Sequence, residues 1–168
     1  MRARAARLGV MLSIGVLMVS PGGQPLEGME KALAALEAEV VRGGAVLSER
    51  RWVPDELAMI RKEIRILSDQ RKLDVVLTLG GVGLRPRDRV PEATLELLER
   101  PLPGVSELLR LSGMQKSRQA ALSRGVVGLR GSTLIVNLGS SDVAVLESYA
   151  SLSPLFAYIF EDKPNGWV

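Results

Sequence analysis

The sequence predicts an α/β fold: a three-layer sandwich built on a mostly parallel sheet. Three observations carry that expectation. Residues 14–19 and 75–79 are almost continuously apolar, as strands covered on both faces are. Between and after them, apolar residues recur at helical spacing, first as Met29, Leu33, Leu36 and Val40, then as Leu57, Ile60, Ile64 and Leu67. A glycine turn follows directly on residue 79, where a strand of such a sheet hands over to a helix.

Taken in order, the first strand covers 14–19 and ends in the Pro21-Gly-Gly-Gln-Pro25 loop. An Ala-, Leu- and Glu-rich helix occupies 26–40. Ala45, Val46 and Leu47 lie in a second strand that Val53-Pro54 ends, and Asp55 reads as an N-cap or first-turn acid of the next helix. The third strand spans 74–79. Pro91 stands at a helix start, which proline favours, and Pro101 and Pro103 break that helix. Short helices are expected at 105–111 and 117–122. Residues 126–138 suggest two strands joined near Arg130-Gly131, and the last helical region, 143–159, should be interrupted at Pro154.

The amino end admits two readings. Arg2, Arg4 and Arg7 before the apolar stretch 8–20 imitate a secretory signal, but Pro21 makes a poor cleavage context. The stretch is also too short to span a bilayer. The preferred reading places the first core strand here, giving a basic and apolar extension at 1–12, one domain at 13–160 and a polar tail at 161–168.

Composition removes whole classes of chemistry. The chain has 168 residues with no cysteine and no histidine, so thiol nucleophiles, Ser-His-Asp triads, disulfides and Cys/His zinc sites are excluded. Carboxylates, hydroxyls, Lys/Arg, backbone N–H groups and a hard cation such as Mg²⁺ remain. The net charge of +3 resides wholly in Arg2, Arg4 and Arg7, and aromatics make up 4% of the chain. Neither a nucleic-acid surface nor a membrane partner is expected.

The candidate site is a strand that runs into glycines and ends on an acid. Gly80, Gly81 and Gly83 permit positive φ and let backbone N–H groups approach an anion. The pattern matches neither the dinucleotide G-x-G-x-x-G nor the lysine-bearing P-loop. In an open parallel sheet, ligands bind at the carboxyl ends of strands. Four segments should therefore converge there: 53–56, 80–88, 122–125 and 137–141. They offer glycine N–H groups, serines, arginines and carboxylates, a set suited to a phosphorylated ligand with Mg²⁺.

These residues resemble a family. Leu77-Thr-Leu-Gly-Gly-Val-Gly-Leu-Arg-Pro-Arg-Asp88, Pro91-Glu-Ala-Thr94, Pro103-Gly104, Leu122-Ser-Arg-Gly125 and Gly131-Ser-Thr-Leu-Ile-Val-Asn137 are similar, in order, to motifs of the MoaB/Mog family of molybdenum cofactor biosynthesis. The likeness runs from about residue 14 to 155. It implies a cytoplasmic molybdopterin-binding domain, homotrimeric or homohexameric, whose active members use ATP and Mg²⁺ to adenylylate the terminal phosphate of molybdopterin and release pyrophosphate. By the same resemblance Asp55 and Asp88 are the catalytic and metal-holding acids. The ligand-binding set comprises Gly80, Gly81, Val82, Gly83 and Ser123, with Gly139, Ser140 and Ser141 from the fourth segment. Departures from the family pattern stand at Val82, where threonine is usual, at Arg89-Val90, in the short loop after the first strand, and at Leu138-Gly-Ser-Ser-Asp142. Alternatives are a non-catalytic member that binds a pterin or another phosphorylated ligand, and a CinA-like nucleotide pyrophosphohydrolase.

Overall fold

The apolar runs form adjacent strands in the middle of one sheet. A computed structural model describes residues 11–161. The strands are β1 (Ser13–Ser20), β2 (Val46–Pro54), β3 (Val75–Leu79), β4 (Arg100–Pro101), β5 (Val127–Arg130) and β6 (Thr133–Leu138), in spatial order β2-β1-β3-β6-β5-β4. The first four in that order run parallel, and β5 and β4 complete the sheet antiparallel. The helices are α1 (Glu27–Arg42), α2 (Leu57–Arg65, continuing through a π turn at Ile66–Gln70), α3 (Val90–Leu95), α4 (Pro103–Met114), α5 (Asp142–Leu152) and α6 (Phe156–Phe160).

Side chains alternate across each strand and split the interior into two layers. Ile14, Val16 and Met18 of β1, with Leu77 and Val136, pack against Met29, Leu36 and Val40 of α1 and Val145 and Leu152 of α5. Leu17, Val19, Val76 and Ile135 face the other way, onto Ile60 and Ile64 of α2 and Val90 and Ala93 of α3. Both sheet faces are thus covered, the three-layer arrangement anticipated from the sequence. Residues 14–19 form the body of β1, flanked by β2 and β3. The extension at 1–12 and the tail at 161–168 lie outside the described residues, apart from Met11, Leu12 and Glu161.

Several local expectations need correction. Asp55 is not the N-cap of α2: Glu56 holds that position, without a side-chain capping bond. Helix 105–111 extends to Pro103–Met114, and the helix at 117–122 is a 3₁₀ turn, Arg118–Leu122, capped by Ser117. The short strand β4 was not expected. The break at Pro154 is present as a 3₁₀ turn, Ser153–Leu155. Around it, Asp142–Phe160 reaches a mean hydropathy of 1.4, and among the described residues it alone is long and apolar enough to cross a membrane. Its residues Val145, Tyr149, Leu152, Phe156 and Phe160 are buried in the sheet-facing core, while Val143 and Tyr158 are exposed.

Candidate functional site

The glycine turn leaves β3 at the carboxyl edge of the sheet and is shaped by close approach. Gly80 and Gly81 have φ of 92° and 68°, in the left-handed region. A Cβ on Gly80 would lie 2.8 Å from the Val19 carbonyl oxygen, and one on Gly81 2.5 Å from Val90 Cγ2. Gly83 does not share their positive φ. A Cβ there would stand 2.8 Å from Asp88 Oδ2, so a side chain at this position would displace the Asp88 carboxylate. The turn is closed by the Gly80 N–H on the Leu138 carbonyl (3.0 Å) and by the Asp88 carboxylate, whose Oδ2 accepts the Arg85 N–H (3.0 Å). Val82, 7% exposed, packs with Val90 and Ala93 in the core beneath α3.

Asp55 sits at the end of β2, two strands from the glycine turn. Its side chain is 14% exposed, and its Oδ1 lies 3.6 Å from Arg87 Nη1. The two acids are therefore on one edge, linked through the residue preceding Asp88. Among the described residues, no three acids gather as a ready-made metal cage.

The Ser123 segment is held from two sides by arginines. Arg110 of α4 donates through Nη1 to the Gly125 carbonyl (3.0 Å) and the Ser123 carbonyl (3.4 Å). Arg124 faces the glycine turn: its N–H donates to the Val82 carbonyl (2.9 Å) and its Nε to the Gly83 carbonyl (2.8 Å). Its Nη2 donates to the Asp88 carbonyl and its Nη1 pairs with Glu92 Oε1. Burial pushes the Glu92 carboxyl upward, but the Arg124 hydrogen bond, a backbone N–H and nearby cations outweigh it and hold the group below the usual carboxylate range. Ser123 Oγ accepts the Gly125 N–H (3.3 Å), which leaves its own proton free to donate.

Below this loop, Asn137 is a buried knot. Its Nδ2 donates to Thr78 Oγ1 and Thr94 Oγ1, both at 3.0 Å, and its Oδ1 accepts the Val126 N–H at 3.2 Å. One side chain thus ties together β6, β3, α3 and the segment that follows Ser123. Past β6, Ser141 Oγ caps α5 by accepting the Ala144 N–H at 3.1 Å.

Together these elements enclose a cleft of about 580 Å³ over the ends of β3 and β6. Val82, Gly83, Ser123, Gly139, Ser140 and Ser141 line it. Gly80 and Gly81 lie beneath the turn, and Asp55 and Asp88 stand outside the cleft walls. Three of the four segments thus meet at the cleft, and 53–56 joins them through the Asp55–Arg87 pair. Arg110 and Lys116 bring positive charge to the cleft opposite Glu147.

A family model described as "Probable molybdopterin binding domain" matches residues 15–157. The chain belongs to this molybdopterin-binding domain family. The crystal structure of the molybdopterin biosynthesis enzyme MoaB from Thermus thermophilus is 40% identical, with a TM-score of 0.81, over 94% of this chain and 100% of that one. The molybdopterin adenylyltransferase of Escherichia coli K12 is 32% identical over 139 residues, 82% of this chain and 71% of that protein. The Drosophila melanogaster molybdenum cofactor synthesis protein cinnamon is 44% identical over 106 residues, 63% of this chain. This chain spans only 18% of the cinnamon protein.

Within this molybdopterin-binding domain, sequence reasoning missed Arg110 and Glu92 as builders of the site, and it placed Arg124 and Asn137 only as members of converging segments. Asn137 carried a readable signal, a lone amide inside the apolar run Leu134-Ile-Val-Asn-Leu138. The bonding partners of the arginines carried none, since they lie on segments that only the fold brings near.

Proposed function

We propose that this domain serves molybdenum cofactor biosynthesis by binding molybdopterin and adenylylating it with ATP. The observation that carries the reading is the cleft in which the glycine turn, Ser123 and the loop after β6 meet, with Asp55 and Asp88 on the same sheet edge. An oxygen of the terminal molybdopterin phosphate attacks the α-phosphorus of ATP. As that P–O bond forms, the bond to the bridging oxygen of the β-phosphate breaks, and pyrophosphate leaves with the electron pair.

The chain's own residues supply positioning and charge. The Ser123 hydroxyl donates its free proton to the attacking phosphate, and the N–H groups of Val82, Gly83 and 139–141, which line the cleft, hold phosphate oxygens. Arg110 and Lys116 offset the ligand's charge. The donor set fits a cation shared with substrate: two hard carboxylates, with the remaining positions left to phosphate and water. Asp55 and Asp88 would hold Mg²⁺, which when bound neutralises the polyphosphate and favours pyrophosphate as leaving group.

The same proposal covers organisation. The domain occupies 13–160 between an extension at 1–12 and a tail at 161–168, and it works in the cytoplasm as a homotrimer or homohexamer. Leu84, Leu122 and Val143 beside the cleft are 68%, 55% and 57% exposed, an apolar rim that supports self-association. Sedimentation analysis reads the assembly directly.

Purified protein incubated with molybdopterin, ATP and Mg²⁺ should yield adenylylated molybdopterin and pyrophosphate, and Asp88→Ala should abolish both. Saturable molybdopterin binding with no product would instead assign a non-catalytic pterin-binding member. Hydrolysis of dinucleotide pyrophosphates without adenylylation would assign the CinA-like activity.

A further inference from the structure

We infer that Arg124 is a positioning residue that couples the two halves of the site, so that transfer depends on it more than the binding of either substrate does. The inference rests on the adenylylation reading above. Ser123, on the pterin side, is its chain neighbour, while three of its four bonds go to the segment that carries Asp88 and the fourth to Glu92 of the adjoining α3. Its N–H takes Val82, and its guanidinium takes the carbonyls of Gly83 and Asp88 and the carboxylate of Glu92. Arg110 fixes the back of the same loop through the Ser123 and Gly125 carbonyls. The Ser123 segment therefore cannot shift relative to Gly83–Asp88 without breaking two side-chain bonds to that segment and a third to Glu92 of α3.

Two features make this arrangement specific to arginine. The three guanidinium bonds diverge toward two carbonyls and one carboxylate, a pattern a planar fork satisfies and an ammonium point charge does not. Glu92 presents one oxygen to Arg124 while its Oε2 finds no hydrogen-bond partner, so Arg124 is the one side chain that pairs directly with that carboxylate among the described residues. In an in-line displacement the attacking phosphate and the α-phosphate sit on different segments. A misplacement of about 1 Å between them costs roughly 10²-fold in rate, while each substrate can still bind its own side.

Arg124→Lys and Glu92→Gln test the inference in the full chain. For Arg124→Lys, kcat should fall about 10- to 100-fold while the KM values for molybdopterin and ATP each change less than about threefold. Glu92→Gln should lose less in the same sense. Hydrogen exchange supplies a readout independent of turnover. Molybdopterin should slow exchange at both 123–125 and 83–88 in the unmodified chain, but only at 123–125 in Arg124→Lys.

An unchanged kcat, KM values that rise while kcat holds, or slowing at 83–88 that persists in Arg124→Lys would overturn it. Should Arg124→Lys fail to fold, Glu92→Gln, which keeps the arginine, carries the same comparisons. If the unmodified chain makes no adenylylated product, the adenylylation reading fails. A normally active Arg124→Lys defeats the coupling alone.

Discussion

Arg87 reaches from the glycine loop to Asp55 at the end of β2, Nη1 to Oδ1 at 3.6 Å, so the loop that carries one acid is tethered to the other. The arginine side chain is 78% exposed, and a solvent-screened pair at that distance contributes little to stability. Arg87→Gln should therefore move the thermal midpoint by no more than about 2 °C. Asp55→Asn should also fold normally, yet lower adenylylation by about 100-fold or more, because its carboxylate would hold the cation. A melt paired with a product assay separates these effects. Retained activity in Asp55→Asn would remove that acid from the mechanism.

The Asn137 knot predicts a large stability effect from one polar side chain. Asn137→Leu abolishes two buried hydrogen bonds and a third, partly buried one, and leaves the Val126 N–H without its side-chain acceptor. Its cost should be about 2–4 kcal/mol, read as a lowered urea midpoint at unchanged slope. A loss below about 1 kcal/mol would mean that the hydroxyls of Thr78 and Thr94 satisfy each other once the amide is gone.

Gly81→Ala should be among the most damaging small changes in the site. The substitution adds left-handed strain at φ 68° to a contact of 2.5 Å with Val90 Cγ2. Their combined cost is about 2–4 kcal/mol. Gly44→Ala, with φ 84° but nothing within 4 Å of its added Cβ, is the control and should lose only the strain part. Equal midpoints for the two variants would contradict the packing argument.

Tyr149 gives the fold an alkaline sensitivity. Burial, with Glu39 nearby, raises its phenol to about 12. An unfolded tyrosine ionises near its ordinary value of about 10, so between the two values the unfolded chain releases a proton that the folded chain keeps. Stability from this group is intact below about pH 10 and falls as pH rises toward about 12. Tyr149→Phe should flatten that decline in a pH series of denaturation midpoints. An identical slope in both proteins would assign the decline to other groups.

How much the sequence revealed depended on whether the information was local. The core strands were legible because 14–19 and 75–79 are apolar on both faces, and α2 because Leu57, Ile60 and Ile64 keep helical spacing. β4 was hidden because two residues, Arg100–Pro101, carry no periodicity. The glycine turn was legible as a turn, but the difference between Gly81, needed for its φ, and Gly83, where a Cβ would meet the Asp88 carboxylate, depends on neighbours. The same holds for Val82: the position lines the cleft, and only the fold shows that its side chain also packs into the core under α3. Ser141 lines the cleft as expected, and the fold adds a role that composition did not show, its Oγ capping α5 by accepting the Ala144 N–H.

The apolar stretch Asp142–Phe160 also has a meaning for the life of the protein in a cell. Folded, its greasy side is sealed against the sheet and its course is broken at Ser153–Leu155. Unfolded, it is a near-continuous hydrophobic tract at the end of the domain, and chaperones and proteases recognise exposure of that kind. Variants that loosen the sheet should thus be cleared from the cell or drawn into aggregates well before their chemistry is impaired, so abundance would be the first casualty.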